Sequence, residues 1–285
     1  MSLVEGKNCL ITGATSGIGR STALALSEMG ANIFFIARSQ QKAEELIEEV
    51  ERVSGKSPYS IIADLSSFKQ IEKAAEEYKS LNKPIDVLLN NAGIMNTERK
   101  ITEDGLEEVF AVNHLAYFLL TNLLIDKILE SGLKRVVNVS SDAHRFIKSM
   151  NFDDLQSKKE FKMFAAYGQS KLANILFTKK LSSLYQEEGL TTDWLHPDFV
   201  STSLGTQNEN YAFFASLIRW VSPLFAKPRD KGAETSIYLC SSEEVSSNSG
   251  EYFIDCKKAK ITKGAKSKED AERLWKISLE LTGLN

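Results

Sequence analysis

The sequence has few cysteines and no long apolar run, and each absence excludes a class of protein. Its three cysteines, Cys9, Cys240 and Cys256, are scattered along 285 residues and form neither a CxxC pair nor a cluster with histidine. Neither a disulfide framework nor a metal site is expected, and a reducing compartment fits best. No apolar run reaches ~18 residues, the length that spans a bilayer. No secretory signal peptide precedes the first predicted strand.

The charge of the chain is low and evenly spread. The net charge is -3, and no block of like charges, low-complexity tract or internal repeat interrupts the sequence. Nucleic acid is therefore not expected as a partner, because no basic surface is indicated. A hydrophobic content of 42% and a charged content of 26% are ordinary for a soluble globular protein.

Short apolar runs alternate with longer amphipathic segments along the whole chain. The runs are NCLIT (8–12), NIFFIA (32–37), YSIIA (59–63), IDVLLN (85–90), RVVNVS (135–140), TTDWLH (191–196) and GEYFI (250–254). Helical spacing is clearest at 41–53, at 70–81 and around 268–281. The pattern predicts one α/β domain over 1–285, a Rossmann-type doubly wound parallel sheet of about seven strands with helices on both faces.

The stretch TGATSGIG follows the first strand and opens a helix, with glycines at Gly13, Gly17 and Gly19. Glycine permits positive φ in a tight turn, and a missing Cβ lets backbone N–H groups approach a pyrophosphate at a helix N-terminus. Thr15 and Ser16 could add hydroxyl donors. The motif predicts a dinucleotide site, and a glycine-rich turn without a ligand is the alternative.

The end of the second strand distinguishes between the two nicotinamide cofactors. It has no acidic residue to hold a ribose 2′-hydroxyl, and Arg38 stands there instead. A guanidinium suits a 2′-phosphate, so NADP(H) is preferred over NAD(H). Arg20 lies past the last glycine and is placed on the helix surface. Asp64 ends the third strand and is predicted to contact the adenine amino group. Its alternative role is to cap the next helix, a role for which Ser66 and Ser67 also compete.

Four further polar side chains stand where reductive chemistry would need them. Tyr167 and Lys171 are one turn apart in a long predicted helix, Ser141 ends the fifth strand, Asn113 lies in another helix, and NNAG (90–93) ends the fourth strand. Hydride addition to a carbonyl develops an alkoxide, which needs a proton donor and a stabilising hydrogen bond. Each residue alone is a weak signal, because a tyrosine and a lysine one turn apart are more often surface neighbours.

In this order the motifs resemble the short-chain dehydrogenase/reductase family over essentially the whole chain. In that family the tyrosine is the general acid/base, the serine orients the carbonyl, the lysine binds the nicotinamide ribose and favours the ionised tyrosine, and the asparagine supports a proton-relay water. The resemblance assigns these roles to Tyr167, Ser141, Lys171 and Asn113, with Ser140 as the alternative serine. Besides the glycine-turn residues, Arg38 and Asp64, it implies cofactor contacts from Ile18, Leu65, Asn91, Ala92, Gly93, Tyr167, Lys171, Pro197, Val200 and Thr202.

The long gap between Ser141 and Tyr167, with SKLANILFTKKL and LWKISLELTGL, resembles the retinol dehydrogenase branch of that family. This branch includes enzymes of lipid-derived carbonyls that favour NADP(H). The apolar segment 203–227 is predicted to be a variable substrate lobe that covers a lipophilic substrate. For the part at 211–226, the alternative to a substrate lid or core segment is a peripheral contact with a membrane. Asp198 stands where the family usually has glycine, and Thr202 has a helix N-cap as its alternative role.

The sequence therefore predicts an NADP(H)-dependent oxidoreductase that interconverts a lipophilic carbonyl and its alcohol. A catalytically silent nucleotide-binding regulatory or scaffold protein is the alternative, and the intact catalytic positions argue against it. The resemblance implies a homodimer or homotetramer, for which the apolar face of Leu115, Phe118 and Leu119 could serve unless it is core. Without the N-terminal anchor of membrane-bound members, we expect a cytoplasmic protein, or a peripheral or truncated form of a membrane-associated enzyme.

Overall fold

Eight strands form one sheet in the computed structural model, which describes residues 2–197 and 229–284. Their order across the sheet is β3-β2-β1-β4-β5-β6-β7-β8, with β1 to β7 parallel and β8 antiparallel to β7. The strands are β1 Asn8–Thr12, β2 Asn32–Ala37, β3 Tyr59–Ile62, β4 Val87–Asn90, β5 Arg135–Val139, β6 Thr191–Leu195, β7 Tyr252–Ile254 and β8 Lys257–Lys258.

Helices lie between the parallel strands, and the last helix follows β8. They are α1 Gly17–Glu28, α2 Gln40–Ser54, α3 Phe68–Ser80, α4 Glu108–Phe110, α5 Ala116–Leu123, α6 Ile125–Leu129, α7 Met163–Leu184, α8 Arg229–Ser241 and α9 Lys268–Thr282. A π-helical turn, Ala111–Leu115, joins α4 to α5, and short 3₁₀ helices lie at Asp142–Phe146, Glu243–Val245 and Gly264–Lys266. The hydroxyls of Ser39, Ser67 and Ser267 cap α2, α3 and α9 by accepting backbone N–H bonds.

Two hydrophobic cores lie on opposite faces of the sheet. One contains apolar side chains of α1, α2 and α8, and the other contains those of α3, α5, α7 and α9. Neighbouring residues of a strand alternate between them: Cys9 and Ile11 belong to the first core and Leu10 to the second. The central strands are buried on both faces for this reason, which confirms the predicted Rossmann-type doubly wound sheet.

The chain reverses its direction across the sheet between β1 and β4. In such sheets ligands bind beyond the carboxyl ends of the strands, at this switch point. The turn after β1 and the segment after β4 are therefore neighbours at the edge where a nucleotide is expected.

Two expectations need adjustment. The sheet has an eighth strand, Lys257–Lys258, which the apolar pattern could not indicate because both residues are charged. The candidate oligomer face of Leu115, Phe118 and Leu119 is fully buried in the core, so those side chains offer no surface to a second copy.

Among the described residues, no helix combines the length and apolarity that crossing a bilayer requires.

Asp193 on β6 is a buried carboxyl group that makes stability depend on pH. It is 5% exposed, and its Oδ1 accepts a 2.8 Å hydrogen bond from the backbone N–H of Glu251. Burial raises the pKa of Asp193 from 3.8 to about 6. The folded protein therefore binds this proton more tightly than the unfolded chain, and its stability falls as the pH rises between those values.

We expect Asp193→Asn to stabilise the protein at neutral pH and to change little in acid. The amide oxygen keeps the bond from Glu251 without a buried charge. The pKa of Asp193 is raised from 3.8 to about 6, and each pKa unit corresponds to about 1.4 kcal/mol. The gain in the free energy of unfolding therefore reaches at most about 3 kcal/mol. Urea unfolding at neutral and acidic pH measures it, with the exposed Asp153→Asn as a control. An equal gain at both pH values would contradict this explanation.

Candidate active site

The glycine turn after β1 packs tightly against the segment after β4. Gly13 and Gly17 have φ values of +67° and +52°, which favour glycine. A Cβ on Gly13 would lie 2.8 Å from Ala92 Cα, and one on Gly19 would lie 2.4 Å from Asn91 Nδ2 and from Gly13 O. The space left by the missing side chains of Gly13 and Gly19 is thus occupied by protein atoms, whereas the motif had suggested that it served the cofactor.

Side-chain hydrogen bonds hold the same two segments together. The Thr12 hydroxyl accepts from the backbone N–H groups of Asn91, at 2.9 Å, and of Ala92, at 3.1 Å. The Asn91 amide donates to the carbonyls of Thr12, at 3.0 Å, and Gly13, at 3.2 Å. Thr12, the first letter of TGATSGIG, is a structural residue of the site that the sequence reasoning missed.

The N-terminus of α1 fits a phosphate group. Ser16 precedes α1, and its side chain makes no capping hydrogen bond, in contrast to the serines that cap α2, α3 and α9. Unsatisfied N–H groups at a helix N-terminus attract anions. Ser16 is exposed, Thr15 is half-buried and Ile18 is buried. The backbone and the exposed hydroxyl therefore suit a pyrophosphate.

Arg38 and Asp64 lie at the same edge of the sheet. Thr12 pairs with Ile36, so Arg38, two residues on, comes level with the glycine turn, and its side chain is exposed. The predicted surface position of Arg20 agrees with the structure, where its guanidinium pairs with Glu49 of α2.

Asp64 does not cap α3. Its Oδ1 accepts from the backbone N–H of Ser66, at 2.9 Å, while the hydroxyl of Ser67 caps the helix. Its carboxylate is half-buried at the end of β3, and the neighbouring Leu65 is buried. The competition between Asp64, Ser66 and Ser67 for the cap is therefore decided in favour of Ser67.

Tyr167 and Lys171 share one side of α7. The Lys171 ammonium nitrogen lies 5.5 Å from the ring centroid of Tyr167 and 5.8 Å from that of Tyr117, and it donates to the carbonyl of Val139 at 3.1 Å. Lys171 is only 2% exposed, and burial lowers its pKa to about 7. Such an ammonium exchanges its proton near neutral pH, which an exposed lysine does not.

Asn113 sits in the π-helical turn between α4 and α5. Its Oδ1 accepts from the N–H of Ile94 at 2.7 Å, and its Nδ2 donates to the carbonyl of Ile94 at 2.9 Å and to the Ser170 hydroxyl at 3.0 Å. A Cβ on Gly93 would lie 3.4 Å from both Asn113 Oδ1 and Lys171 Nζ. The asparagine thus joins the segment after β4 to α7 beside the lysine.

The two serines after β5 have different surroundings. Ser140 is 1% exposed, and its hydroxyl donates to the carbonyl of Lys171 at 2.9 Å. Ser141 is half-buried and begins the 3₁₀ helix Asp142–Phe146, where its hydroxyl accepts from the N–H of Ala143 at 3.2 Å. The Ser141 hydroxyl hydrogen is not used in this bond and can still be donated. Of the two serines, Ser141 is therefore the one that can donate a hydrogen bond to a carbonyl oxygen.

Two histidines hold the turn that carries Ser141, a role that the sequence did not indicate. The Nδ1 of His144 lies 2.6 Å from the Ser141 carbonyl oxygen, and Nδ1 of His196 accepts from the N–H of Asp142 at 3.1 Å. The Tyr117 hydroxyl donates to the carbonyl of Ala92 at 2.7 Å. No motif marks these residues: the partners of His196 and Tyr117 are distant in sequence, and the contact of His144 with Ser141 depends on the 3₁₀ turn.

The remaining predicted positions lie next to or outside the described residues. Pro197 is half-buried just after β6. Val200 and Thr202, Asp198 and the apolar segment 203–227 fall outside the residues that the structure describes, so their predicted roles stay predictions.

Comparison with known proteins gives the chain clear relatives. A family profile described as short chain dehydrogenase matches residues 7–211. Retinol dehydrogenase 12 of Mus musculus is 40% identical over 283 residues, which is 99% of this chain and 88% of the relative. Retinol dehydrogenase 14 of Homo sapiens is 39% identical over 296 residues, again 99% and 88%.

Solved structures share the fold. A putative uncharacterized protein from Mycobacterium Paratuberculosis is 29% identical and superposes with a TM-score of 0.77, covering 98% of this chain and 94% of the other. A putative short chain dehydrogenase from Escherichia coli CFT073, complexed with NADPH, is 22% identical with a TM-score of 0.71, and the match covers 89% of this chain and 98% of that protein.

Proposed function

The chain belongs to the short-chain dehydrogenase family, in its retinol dehydrogenase branch, and on this premise we propose that it is an NADP(H)-dependent oxidoreductase of lipophilic carbonyls and alcohols. The reaction is hydride transfer between the cofactor and a carbonyl carbon, with Tyr167 as the general acid/base. The observation that carries the proposal is the buried ammonium of Lys171, 5.5 Å from the ring of Tyr167 on one side of α7.

The residues have complementary tasks in this mechanism. A nicotinamide cofactor, when bound, would supply or accept the hydride. Tyr167 gives a proton to the developing alkoxide during reduction and takes it back during oxidation. Ser141 donates a hydrogen bond to the same oxygen. The ammonium of Lys171 favours the ionised phenol by its charge, and Asn113 holds the segment after β4 against α7 next to that ammonium.

The uncapped N-terminus of α1 and the exposed Arg38 support a cofactor with a 2′-phosphate. The helix end would bind the pyrophosphate, and the guanidinium would pair with the 2′-phosphate beside the glycine turn. Asp64 would hold the adenine amino group. Since cells keep NADPH largely reduced, we propose carbonyl reduction as the direction.

The lipophilic substrate is proposed from the likeness to retinol dehydrogenases. Retinaldehyde, aliphatic aldehydes and steroid ketones are the classes to compare, because an apolar pocket discriminates weakly between similar hydrophobic groups. Loss of NADPH absorbance with each compound tests the function. Turnover of one lipophilic class supports the proposal, whereas a preference for small charged sugars or keto acids would contradict it. NADPH binding without turnover of any carbonyl would favour a regulatory protein instead.

The two adjacent serines provide a matched pair of variants. We expect Ser141→Ala to lower kcat by about 10²–10³-fold, the usual effect of removing one donor to an oxyanion. Ser140→Ala removes a buried hydrogen bond to α7 and should cost about 1 kcal/mol of stability with a much smaller loss of kcat. Steady-state kinetics and urea unfolding of both variants separate the two roles. The reverse ranking in kcat would assign the substrate contact to Ser140.

A further inference from the structure

A stripe of side chains on α7 runs from the buried interior to the surface. Phe164, Tyr167, Gly168 and Lys171 are spaced i, i+3, i+4 and i+7, so they project from one side of the helix. Exposure rises along the stripe: Lys171 is 2% exposed, Tyr167 is half-buried and Phe164 is 58% exposed. Phe164 therefore lies at the outer end of the stripe, about 4.5 Å along the helix axis from Tyr167.

The 3₁₀ helix Asp142–Phe146 packs against this stripe. A Cβ on Gly168 would lie 2.8 Å from Ile147 Cγ1 and 2.9 Å from Ala143 O, so glycine permits the close approach. Phe146 directly precedes Ile147 in the chain and is 85% exposed. The segment that begins at Ser141 and the helix that carries Tyr167 thus each present an exposed aromatic ring beside the contact at Gly168.

Single exposed apolar side chains are common on protein surfaces and need no explanation by themselves. Among the described residues, however, the two most exposed large apolar side chains are Phe146 and Phe164: Phe164 is the outer end of this stripe, and Phe146 precedes Ile147, which packs on it. Two of the cations beside them are paired, Arg145 with Asp142 at 2.6 Å and Lys162 with Glu160 at 2.9 Å, while Lys148 is exposed. Such surroundings suit an apolar chain better than an ionic group, because the rings lose contact with water when the chain covers them.

We infer that Phe146 and Phe164 are specificity-determining residues whose rings hold the apolar chain of the substrate beyond its carbonyl carbon. The inference rests on the proposed function for the reacting group, a carbonyl between Ser141 and Tyr167. It adds that the preference for long substrates is set by these two positions. A short aldehyde reaches Tyr167 without covering either ring, whereas a long one covers both.

A homologous series of straight-chain aldehydes, from propanal to decanal, tests the inference on the full chain with NADPH. In the wild type, kcat/KM rises with chain length. In Phe164→Ala and in Phe146→Ala, it falls by about ten-fold for decanal and by less than about two-fold for propanal. Phe164→Leu keeps most of the selectivity. Leu184→Ala, at the other end of α7 and 42% exposed, is the control and keeps the wild-type profile.

Calorimetric binding of the matching alkanols to the protein loaded with NADP⁺ gives a readout that needs no turnover. If aldehydes turn over and both Phe→Ala variants keep the wild-type dependence on chain length, the inference is overturned and the proposed function stands. If no aldehyde turns over, but alkanol affinity rises with chain length and loses that rise in the variants, the inference stands without the function. A wild type that shows no dependence in either measurement overturns the inference.

Discussion

Replacing Tyr167 with phenylalanine should lower kcat by about 10²–10⁴-fold while leaving the affinity for NADPH within about two-fold. The change removes one oxygen atom from a half-buried side chain and keeps the ring beside Lys171. Without the phenol, the developing alkoxide has no proton donor at this position. Single-turnover kinetics with a reactive carbonyl, together with calorimetric binding of NADPH, measure the two quantities separately.

Tyr185→Phe is the matched control for that experiment. Tyr185 follows α7 directly, so this substitution removes the same oxygen atom at the far end of the same helix. Its kcat should stay within about two-fold of the wild type, because a tyrosine remote from the reacting oxygen supplies no proton to it. A Tyr167→Phe variant that keeps more than about a tenth of wild-type kcat would remove Tyr167 from the mechanism.

Replacing Arg38 with aspartate should reverse the cofactor preference. A charge-assisted hydrogen bond to a phosphate contributes about 1.5–3 kcal/mol, so losing it weakens NADPH binding by about 10–100-fold. The new carboxylate also repels the 2′-phosphate, and it can accept from the 2′-hydroxyl of NADH. The ratio of the two dissociation constants, measured by calorimetry, should therefore change by more than about 100-fold. Tighter binding of NADH than NADPH by the wild type would contradict the role of Arg38.

Arg20→Gln and Arg38→Gln form a second comparison of the same change at two arginines near the glycine turn. Arg20 pairs with Glu49 and points along the surface of α1 toward α2. We expect Arg38→Gln to lose about ten-fold in NADPH affinity and Arg20→Gln to lose almost none. Equal losses would show that the two arginines act only through their general positive charge.

The strands could be predicted because they are buried on both faces. The apolar runs at 8–12 and 32–37 coincide with β1 and β2, since all of their apolar residues enter one of the two cores. The last strand, β8, could not be predicted, because its two lysines lie exposed at the edge of the sheet. The π-helical turn Ala111–Leu115 was also not visible, because its sequence has ordinary helical spacing.

The sequence could name the residue types of the candidate site but not their contacts. Spacing within one helix placed Tyr167 and Lys171 on one side of α7. The family resemblance favoured Ser141 over Ser140, but only the fold shows that the Ser140 hydroxyl donates to α7. The bonds from Asn91 and Ala92 to Thr12 join residues about 80 positions apart, a separation that no local pattern reveals.

The packing of the glycine turn against Asn91 and Ala92 limits how the protein can evolve. A side chain at Gly13 or Gly19 would overlap atoms of the facing segment, so neither position can change without rebuilding its neighbour. Arg38, in contrast, is exposed at the end of its strand and can be exchanged without disturbing any packed atom. With the role proposed for Arg38, cofactor choice would be a modular trait in this chain, open to a single substitution, while the packed glycine turn and its facing segment would be inherited as one unit.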